Sequence, residues 1–245
     1  MHDYTKMIDD FKTLGIILSD KQLEQFDSYY ELLVKWNEVM NLTAITEFDD
    51  VCKLHFVDSL MAAKYFDFSK ENLGLIDVGT GAGFPGIPLK IVYPNLNITL
   101  LDSLNKRLKF LNEVIDTLKL NDENGKIVTL HGRAEDFSNK KSGTLREKFD
   151  IGTARAVANM STLSEYVIPY VKVGGHFIAY KSNKIDEEII NAKKAIHLLG
   201  GKVSSINQVM LPNTDVERSI VIINKKEATS KLYPRKAGLP SKQPL

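Results

Sequence analysis

From residue 73 onward, short strand-like runs alternate with helical stretches, and this order constrains the fold more than any other feature of the chain. Runs rich in β-branched and aliphatic residues predict strands at 73–78, 97–102, 127–131, 149–154 and 176–181. Helical periodicity is predicted between them, near 85–93, 104–119, 160–172 and 185–199. Because parallel neighbours need crossover connections, the alternation predicts an α/β fold with a parallel, doubly wound sheet.

The chain beyond residue 200 has a different pattern. Strand-like runs at 202–211 and 218–224 follow each other with only a loop between them. They predict an antiparallel β-hairpin at the end of the sheet, which is unusual for dinucleotide-binding domains. The last stretch, residues 225–245, carries six basic residues and one acidic residue. An irregular, basic tail is therefore expected, though not necessarily a free one.

The first 70 residues predict a small helical unit. Ser19 and Gln22 have the spacing of a capping box, and apolar residues then recur at three- and four-residue steps up to about Met40. A second helical pattern runs from about residue 49 to 65. Residues 1–71 carry 7 Lys and Arg against 14 Asp and Glu, whereas residues 72–245 carry 25 against 17. The basic part suits a polyanionic partner, although solvated basic faces are common.

Cys52 is the only cysteine among 245 residues. A single cysteine excludes an intramolecular disulfide framework and a four-cysteine zinc site, and it is typical of a reducing compartment. The first ten residues lack the basic start and apolar core of a signal peptide, and no run of about 18 apolar residues occurs. We expect a cytoplasmic protein without a membrane segment, and we predict no metal site.

The strongest chemical signal is a glycine-rich loop at the end of the first predicted strand, running from Asp77 to Gly86. Its alternate glycines, Gly79, Gly81 and Gly83, let the backbone turn tightly and bring a ligand against the main chain. Gly81 to Gly86 also matches the dinucleotide pattern GxGxxG, which is weak evidence by itself. The Asp77 carboxylate would repel a pyrophosphate, whereas a sulfonium with an amino-acid group would favour it.

Asp102 ends the second predicted strand. A carboxylate there can accept hydrogen bonds from both hydroxyls of a ribose, although capping of the helix near residue 104 is the alternative, a role that Ser103 can also fill. At the end of the third strand, residues 132–136 offer backbone amides and a carboxylate where an adenine edge would lie. These positions together indicate a nucleoside-binding site.

The loop and its flanking carboxylates resemble the class I S-adenosylmethionine-dependent methyltransferases. Further motifs resemble the bacterial 16S rRNA guanine-N7 methyltransferases, also called glucose-inhibited division protein B, over nearly the whole chain. The motifs are Trp36-Asn37 with Asn41-Leu42-Thr43, His55-Phe56-Val57-Asp58-Ser59, Asp77 to Pro88, Leu101-Asp102-Ser103 with Lys106-Arg107, Arg133-Ala134-Glu135, Arg155-Ala156, Tyr180-Lys181 and Arg235 to Leu245. Ser182 stands where members commonly have glycine.

The resemblance implies a Rossmann-like methyltransferase domain at 72–225, an N-terminal helical extension at 1–71 and a basic tail at 226–245. It also implies that S-adenosylmethionine is the cofactor. Arg155 is expected between the cofactor and the target base, as the catalytic residue and as a cofactor contact. The other implied cofactor contacts are Asp77, Gly79, Gly81, Gly83, Phe84, Asp102, Ser103, Ala134 and Glu135.

Guanine N7 has a free lone pair and no proton to lose, so its methylation needs positioning and no general base. The expected substrate is 16S rRNA in the small ribosomal subunit or an assembly intermediate, and a monomer is favoured. Proposed RNA contacts are His55, Lys106, Arg107, Lys109, Lys181, Arg218 and the tail residues Lys225, Lys226, Lys231, Arg235, Lys236 and Lys242. His55 as a packed helix histidine, Arg155 in a salt bridge, and Lys181 and Arg218 as surface charges are the structural alternatives.

Three other functions fit parts of the pattern. A methyltransferase of the same fold with a small-molecule or protein substrate would need no RNA. A nicotinamide-dependent oxidoreductase would use the same loop pattern, against the Asp77 argument. A non-catalytic RNA-binding module would bind RNA without a cofactor.

Overall fold

We analysed a computed structural model of the chain, which describes residues 2–139, 143–155, 158–182 and 185–245. Within this part of the chain, seven strands form one sheet in the order β3-β2-β1-β4-β5-β7-β6. The strands are β1 Gly74–Val78, β2 Asn97–Asp102, β3 Ile127–His131, β4 Phe149–Arg155, β5 Val171–Ser182, β6 Gly201–Met210 and β7 Glu217–Lys225.

The first five strands are parallel, whereas β7 pairs antiparallel with β5 and β6. The predicted parallel sheet with a terminal hairpin is therefore confirmed. The strand β5 begins at Val171, so the predicted helix at 160–172 extends two residues too far. The α-helix itself ends at Val167, and Pro169, which has no N–H to donate to an α-helical bond, lies in the 3₁₀ turn Ile168–Tyr170 that leads into this strand.

The longer helices are α1 Thr5–Thr13, α2 Asp20–Met40, α5 Gly86–Val92, α6 Asn105–Thr117, α8 Met160–Val167 and α9 Asp186–Leu198. Shorter helices are α3 Phe48–Val51, α4 Asp58–Leu60, α7 Ala134–Ser138 and α10 Leu239–Lys242. Sequence periodicity did not predict α1 or α7. No helix in the described ranges is both long enough and apolar enough to cross a bilayer.

Each strand contributes side chains to two cores because successive residues point to opposite faces of the sheet. Leu75 lies in the core that packs against α2, α5 and α6, and the next residue, Ile76, lies in the core on the α8 and α9 face. Ile222 and Ile223 divide in the same way on β7. The N-terminal helices share the first core, since Phe11, Phe26 and Leu33 belong to it.

The predicted helix at 49–65 forms as a run of helical turns rather than one regular helix. α3 is followed by a π-helical segment, Cys52–Val57, then by α4 and a 3₁₀ turn, Met61–Lys64. π-Helical segments are rare and occur often at functional sites. Here the segment contains His55, at the side of the sheet where β4 and β5 end.

Candidate functional site

The carboxylate of Asp77 supports the glycine loop from below. Its Oδ2 accepts hydrogen bonds from the Thr80 hydroxyl at 2.7 Å and from the Gly86 N–H at 2.9 Å. Oδ1 is buried and has no hydrogen-bond partner among the described residues. Because the side chain is fully buried, desolvation raises the pKa of Asp77 to about 6. Direct contact between Asp77 and a cofactor stays a prediction.

The loop itself follows from its glycines. Gly81 and Gly83 have φ angles of +63° and +98°, which residues with a Cβ rarely adopt. A Cβ on Gly83 would lie 2.6 Å from Ile87 Cδ1 and 2.7 Å from the Tyr29 hydroxyl oxygen, whereas a Cβ on Gly81 would point into open space. The Tyr29 hydroxyl also donates to the Ala82 carbonyl, so α2 fixes the loop from one side.

A cavity of about 230 Å³ lies at the carboxyl ends of β1, β2 and β3. This is the edge where open α/β sheets bind their ligands. We call it the cofactor cavity. Its lining residues are Val78, Gly79, Leu101, Asp102, Ser103, Gly132, Arg133, Ala134, Glu135, Tyr166, Gly238 and Ser241. Five predicted cofactor residues, Gly79, Asp102, Ser103, Ala134 and Glu135, are thus brought together. Tyr166, Gly238 and Ser241 were not expected from the sequence.

Asp102 links the end of β2 to the glycine loop. Its Oδ2 accepts from the Gly81 N–H at 3.0 Å and from Arg107 Nη1 at 3.3 Å, and its Oδ1 accepts from the Leu104 N–H at 2.9 Å. Leu104 occupies the N-cap position of α6, and no side chain at this position accepts a hydrogen bond from the first turn of the helix. The alternative that Asp102 or Ser103 is the helix cap is therefore not what the structure has.

Glu135 is 6% exposed and lies at the start of α7, beside Ala134. Its Oε1 accepts a hydrogen bond from the Gly238 N–H at 2.8 Å, which attaches the C-terminal tail to the cavity. The Ala134 carbonyl accepts from the Tyr170 hydroxyl at 2.6 Å. These contacts fix the wall where the adenine contacts were predicted.

The side chains around the cofactor cavity fit S-adenosylmethionine. Two buried carboxylates, Asp102 and Glu135, line the cavity, and the buried Asp77 carboxylate lies under the loop. Carboxylates suit ribose hydroxyls and a positively charged ligand, whereas they would repel a pyrophosphate. The open space beside Gly81 leaves room for a ligand against the main chain. Among the described residues, no cluster of His, Cys, Asp or Glu could hold a metal ion.

A second cavity, of about 410 Å³, lies at the ends of β4 and β5 and the start of β7, against the π-helical segment. We call it the arginine cavity. Its lining residues are Ile45, Leu54, His55, Asp58, Arg155, Tyr180, Lys181, Ser182 and Arg218. Four predicted functional residues, Arg155, His55, Lys181 and Arg218, meet here. Ala156, which follows Arg155 in its motif, lies outside the described residues.

Arg155 connects the glycine loop to the N-terminal helices. Its guanidinium carbon lies 4.9 Å from the centre of the Phe84 ring, in a cation–π arrangement. Its Nη1 donates to Asp58 Oδ2 at 2.8 Å and, at longer distances, to the carbonyls of Leu54 and His55. Arg155 thus forms a salt bridge, as the alternative to a functional role expected, and it also lines the arginine cavity.

Asp58 is the residue that sequence reasoning missed in this cavity. It is 4% exposed, and its second oxygen, Oδ1, accepts from Arg218 Nε at 2.9 Å. One carboxylate thus holds two arginines that come from the strands on either side of β5, at the same edge of the sheet. The signal was present in the sequence, because Asp58 follows His55 by three residues and lies on the same helical face.

His55 is held as a neutral ring. Its Nδ1 lies 3.3 Å from Arg155 Nη2, which can only donate, so Nε2 carries the hydrogen that bonds Thr43 Oγ1 at 2.8 Å. Burial and the nearby Arg155 lower the pKa of His55 to about 4. The ring stacks on Phe84 with centroids 4.5 Å apart. The packed-histidine alternative thus describes His55 better than a cationic RNA contact.

The other predicted RNA contacts differ in how available they are. Lys106 and Lys236 are exposed, and Arg107 is half-buried beside Asp102. Lys181 forms an ion pair with Glu188 at 2.7 Å and donates to the Ala158 carbonyl. Lys181 therefore reaches the cavity with its charge already paired.

Two tail residues differ from the expectation that they face RNA. Arg235 donates to both oxygens of Glu165, a carboxylate with no exposed surface. Lys225 is 2% exposed and pairs with Glu147 at 3.2 Å. Each cation therefore neutralises a carboxylate of the domain, the fully buried Glu165 in one case and the partly buried Glu147 in the other.

Comparison with known proteins identifies the family. A family model described as rRNA small subunit methyltransferase G matches residues 22–221. The chain belongs to that family. Ribosomal RNA small subunit methyltransferase G of Lachnoclostridium phytofermentans is 51% identical over 245 residues, with 100% of this chain and 98% of that protein covered. The protein of the same name from Staphylococcus carnosus is 51% identical over 239 residues, with 98% and 97% covered.

The fold of this rRNA small subunit methyltransferase G family member is that of class I S-adenosylmethionine-dependent methyltransferases. A methyltransferase of this cofactor class from Aquifex aeolicus superposes with a TM-score of 0.51 at 16% identity, covering 75% of this chain and 96% of that chain. Aeropyrum pernix fibrillarin, solved with natively bound S-adenosyl-L-methionine, gives a TM-score of 0.51 at 15% identity, covering 68% and 72%. The predicted fold class is confirmed.

Proposed function

We propose that this protein transfers a methyl group from S-adenosylmethionine to N7 of a guanine in 16S rRNA. The observation that carries the proposal is that one glycine loop connects the two cavities, because it lines the first and packs against two residues, Arg155 and His55, that line the second. Gly79 lines the carboxylate-rich cofactor cavity, and Phe84, five residues later, lies under Arg155 at the arginine cavity. A cofactor bound in the first cavity and a base bound in the second would therefore meet at this loop.

The arginine cavity suits a nucleophile that needs no general base. When bound, S-adenosylmethionine supplies a methyl group on a positively charged sulfonium. Guanine N7 attacks with an in-plane lone pair and loses no proton. In the cavity, both ring nitrogens of His55 are engaged, and Asp58 is paired with two arginines. The rate enhancement is therefore expected to come from positioning the base against the methyl group, which can lower an activation barrier by roughly 7–11 kcal/mol.

Arg155 is the proposed base-orienting residue. Positive charge develops on the guanine during the reaction, so an unpaired cation beside N7 would oppose it. Arg155 carries a charge that Asp58 already balances, and its donors suit the O6 acceptor of guanine. Arg218 and Lys181 border the same cavity and are proposed to contact phosphates.

The proposed substrate is 16S rRNA in the small ribosomal subunit or an assembly intermediate, and the proposed enzyme is a cytoplasmic monomer. The two relatives described above are both named as small-subunit ribosomal RNA methyltransferases, which supports this substrate. Exposed cations at Lys106, Lys109 and Lys236 support an RNA-facing surface, because phosphate contacts supply most of the affinity for nucleic acid.

Methyl transfer from radiolabelled S-adenosylmethionine tests the proposal directly. Small subunits from cells that lack the gene should accept one methyl group per particle, and nuclease mapping by mass should locate it as 7-methylguanosine in 16S rRNA. Arg155→Ala should abolish transfer. Label on protein, on a small molecule or on another position of the base would overturn the proposed reaction, as would full activity of the Arg155 variant.

A further inference from the structure

The C-terminal tail is attached to the methyltransferase domain by buried charges. Arg235 donates to Glu165 through its backbone N–H at 2.7 Å and through Nε and Nη2, the latter at 2.7 Å. Glu165 belongs to α8 and has no exposed surface. Arg146 donates to the carbonyls of Thr229 and Tyr233 at 2.6 and 2.7 Å, which fixes the preceding part of the tail. These contacts therefore fix the position of the tail against the surface of the domain.

The segment after Arg235 reaches the cofactor cavity. We call residues 235–241 the C-terminal strap. Its Gly238 N–H donates to Glu135 Oε1 at 2.8 Å, and the Pro240 carbonyl accepts from Thr162 Oγ1 at 3.0 Å. Gly238 and Ser241 line the same cavity as Gly79, Asp102 and Ala134. The strap thus forms one wall of a cavity whose other walls come from the ends of three strands.

We propose that the C-terminal strap is part of the cofactor site and that the Arg235–Glu165 ion pair is its positioning contact. This inference rests on the proposed function, because it takes S-adenosylmethionine as the ligand of the cavity. Arg235 acts through the strap and touches no ligand itself. Its basic charge serves the fold of the site, which differs from the RNA-binding role that the composition of the tail indicates.

The physical reason lies in the burial of Glu165. Without Arg235, a carboxylate with no exposed surface loses its ionic partner, and the strap loses the ion pair that attaches it to α8. Gly238 then no longer holds Glu135 in place, and one wall of the cavity opens. Ligand sites bind tightly when most of the ligand surface is enclosed by pre-formed walls, so opening a wall speeds dissociation.

Calorimetry with S-adenosylmethionine on the full chain tests the strap. Arg235→Ala should raise the dissociation constant by about tenfold or more, through a faster off-rate, with RNA affinity within about twofold of the wild type. Lys194→Ala, which removes one exposed charge from α9, is the matched control and should leave cofactor affinity unchanged. Unchanged cofactor affinity of Arg235→Ala, or a loss of RNA affinity alone, would overturn the inference.

A second variant keeps the test valid if Arg235→Ala fails to fold. Ser241 is an exposed residue that borders the cavity, so Ser241→Trp should fold normally and narrow the cavity. Its dissociation constant for the cofactor should rise by about tenfold or more. Its unfolding temperature, compared with that of the wild type, shows whether the variant is folded. Wild-type cofactor affinity in this variant would contradict the proposed wall.

Hydrogen exchange on the wild-type protein gives a readout that a merely structural tail would not show. Saturating S-adenosylmethionine should slow exchange of the strap amides, above all Gly238, because a ligand that needs the closed wall stabilises it in return. Unchanged exchange with bound cofactor would count against the strap. If the wild type binds no S-adenosylmethionine, the proposed function fails; if it binds but the strap variants bind equally well, only this inference fails.

Discussion

Asp58 and Arg155, which are 97 residues apart in the chain, form an ion pair of 2.8 Å at the edge of the arginine cavity. Arg155 stands at the end of a central strand, and Asp58 stands in the N-terminal helices. The same carboxylate holds Arg218 at the start of β7. The N-terminal helices therefore do more than cover one face of the sheet, because they fix the two arginines of the proposed base site.

Asp58→Asn should reduce methyl transfer while leaving cofactor affinity unchanged. The amide keeps the shape of the side chain and loses the charge that orders both arginines, so activity should fall by about 10²-fold, as expected for a misplacement of about 1 Å. Stability should fall by about 1–3 kcal/mol. Initial rates, calorimetry and urea unfolding measure these three quantities.

Asp67→Asn is the matched control for the Asp58 variant. Asp67 is an exposed carboxylate of the same N-terminal part, and its contacts are local, with Ser69. Its activity should equal that of the wild type. Equal rates for Asp58→Asn and Asp67→Asn would show that the double ion pair does not position Arg155, the proposed base-orienting residue.

Gly81→Ala should weaken cofactor binding without unfolding the protein. A Cβ at this position meets nothing within 4 Å in the protein, and the positive φ costs about 1 kcal/mol. Gly174→Ala on β5 has a φ of +88° and equally open surroundings, so it carries the same strain away from the loop. Calorimetry should find weaker cofactor binding for Gly81→Ala than for Gly174→Ala, since only Gly81 faces the predicted ligand. Similar cofactor affinities of the two variants would mean that the ligand binds elsewhere.

His55 should make stability depend on pH in acid. Its folded pKa of about 4 lies below its usual value of 6.5, so the folded protein favours the neutral ring. The stabilisation is fully present above pH 6.5 and is lost as the pH falls towards 4, by about 2–3 kcal/mol. Urea unfolding of the wild type and His55→Gln at several pH values measures this difference, and a difference that does not vary with pH would refute it.

RNA affinity should fall with salt concentration through the exposed cations. Lys106→Ala removes one candidate phosphate contact, so the slope of log affinity against log salt should become shallower by about 0.7 for single-stranded RNA. Lys21→Ala, an exposed lysine of the acidic helical part, serves as the control and should leave the slope unchanged. Filter binding at four salt concentrations is sufficient, and equal slopes for both variants would remove Lys106 from the RNA surface.

The sequence predicted the elements that depend on local pattern. Short runs rich in β-branched and aliphatic residues located the strands, because a strand with a core on each face needs apolar side chains on both, as Leu75 and Ile76 show. The glycine loop was predictable because positive φ angles at alternate positions require glycine. The short helix α7 was missed, since five residues between a strand and a loop carry almost no periodicity.

Composition and local spacing determined the parallel sheet, the terminal hairpin, the glycine turn after the first strand and the residue types around that turn. Only the tertiary structure decided which charged side chains form ion pairs with one another. Arg235 and Lys225 were predicted to be basic surface from the sequence, yet each pairs with a carboxylate more than 65 residues away, Lys225 as a buried side chain and Arg235 as a partly buried one. Such pairing depends on distances between distant segments, and a linear pattern contains no information on them.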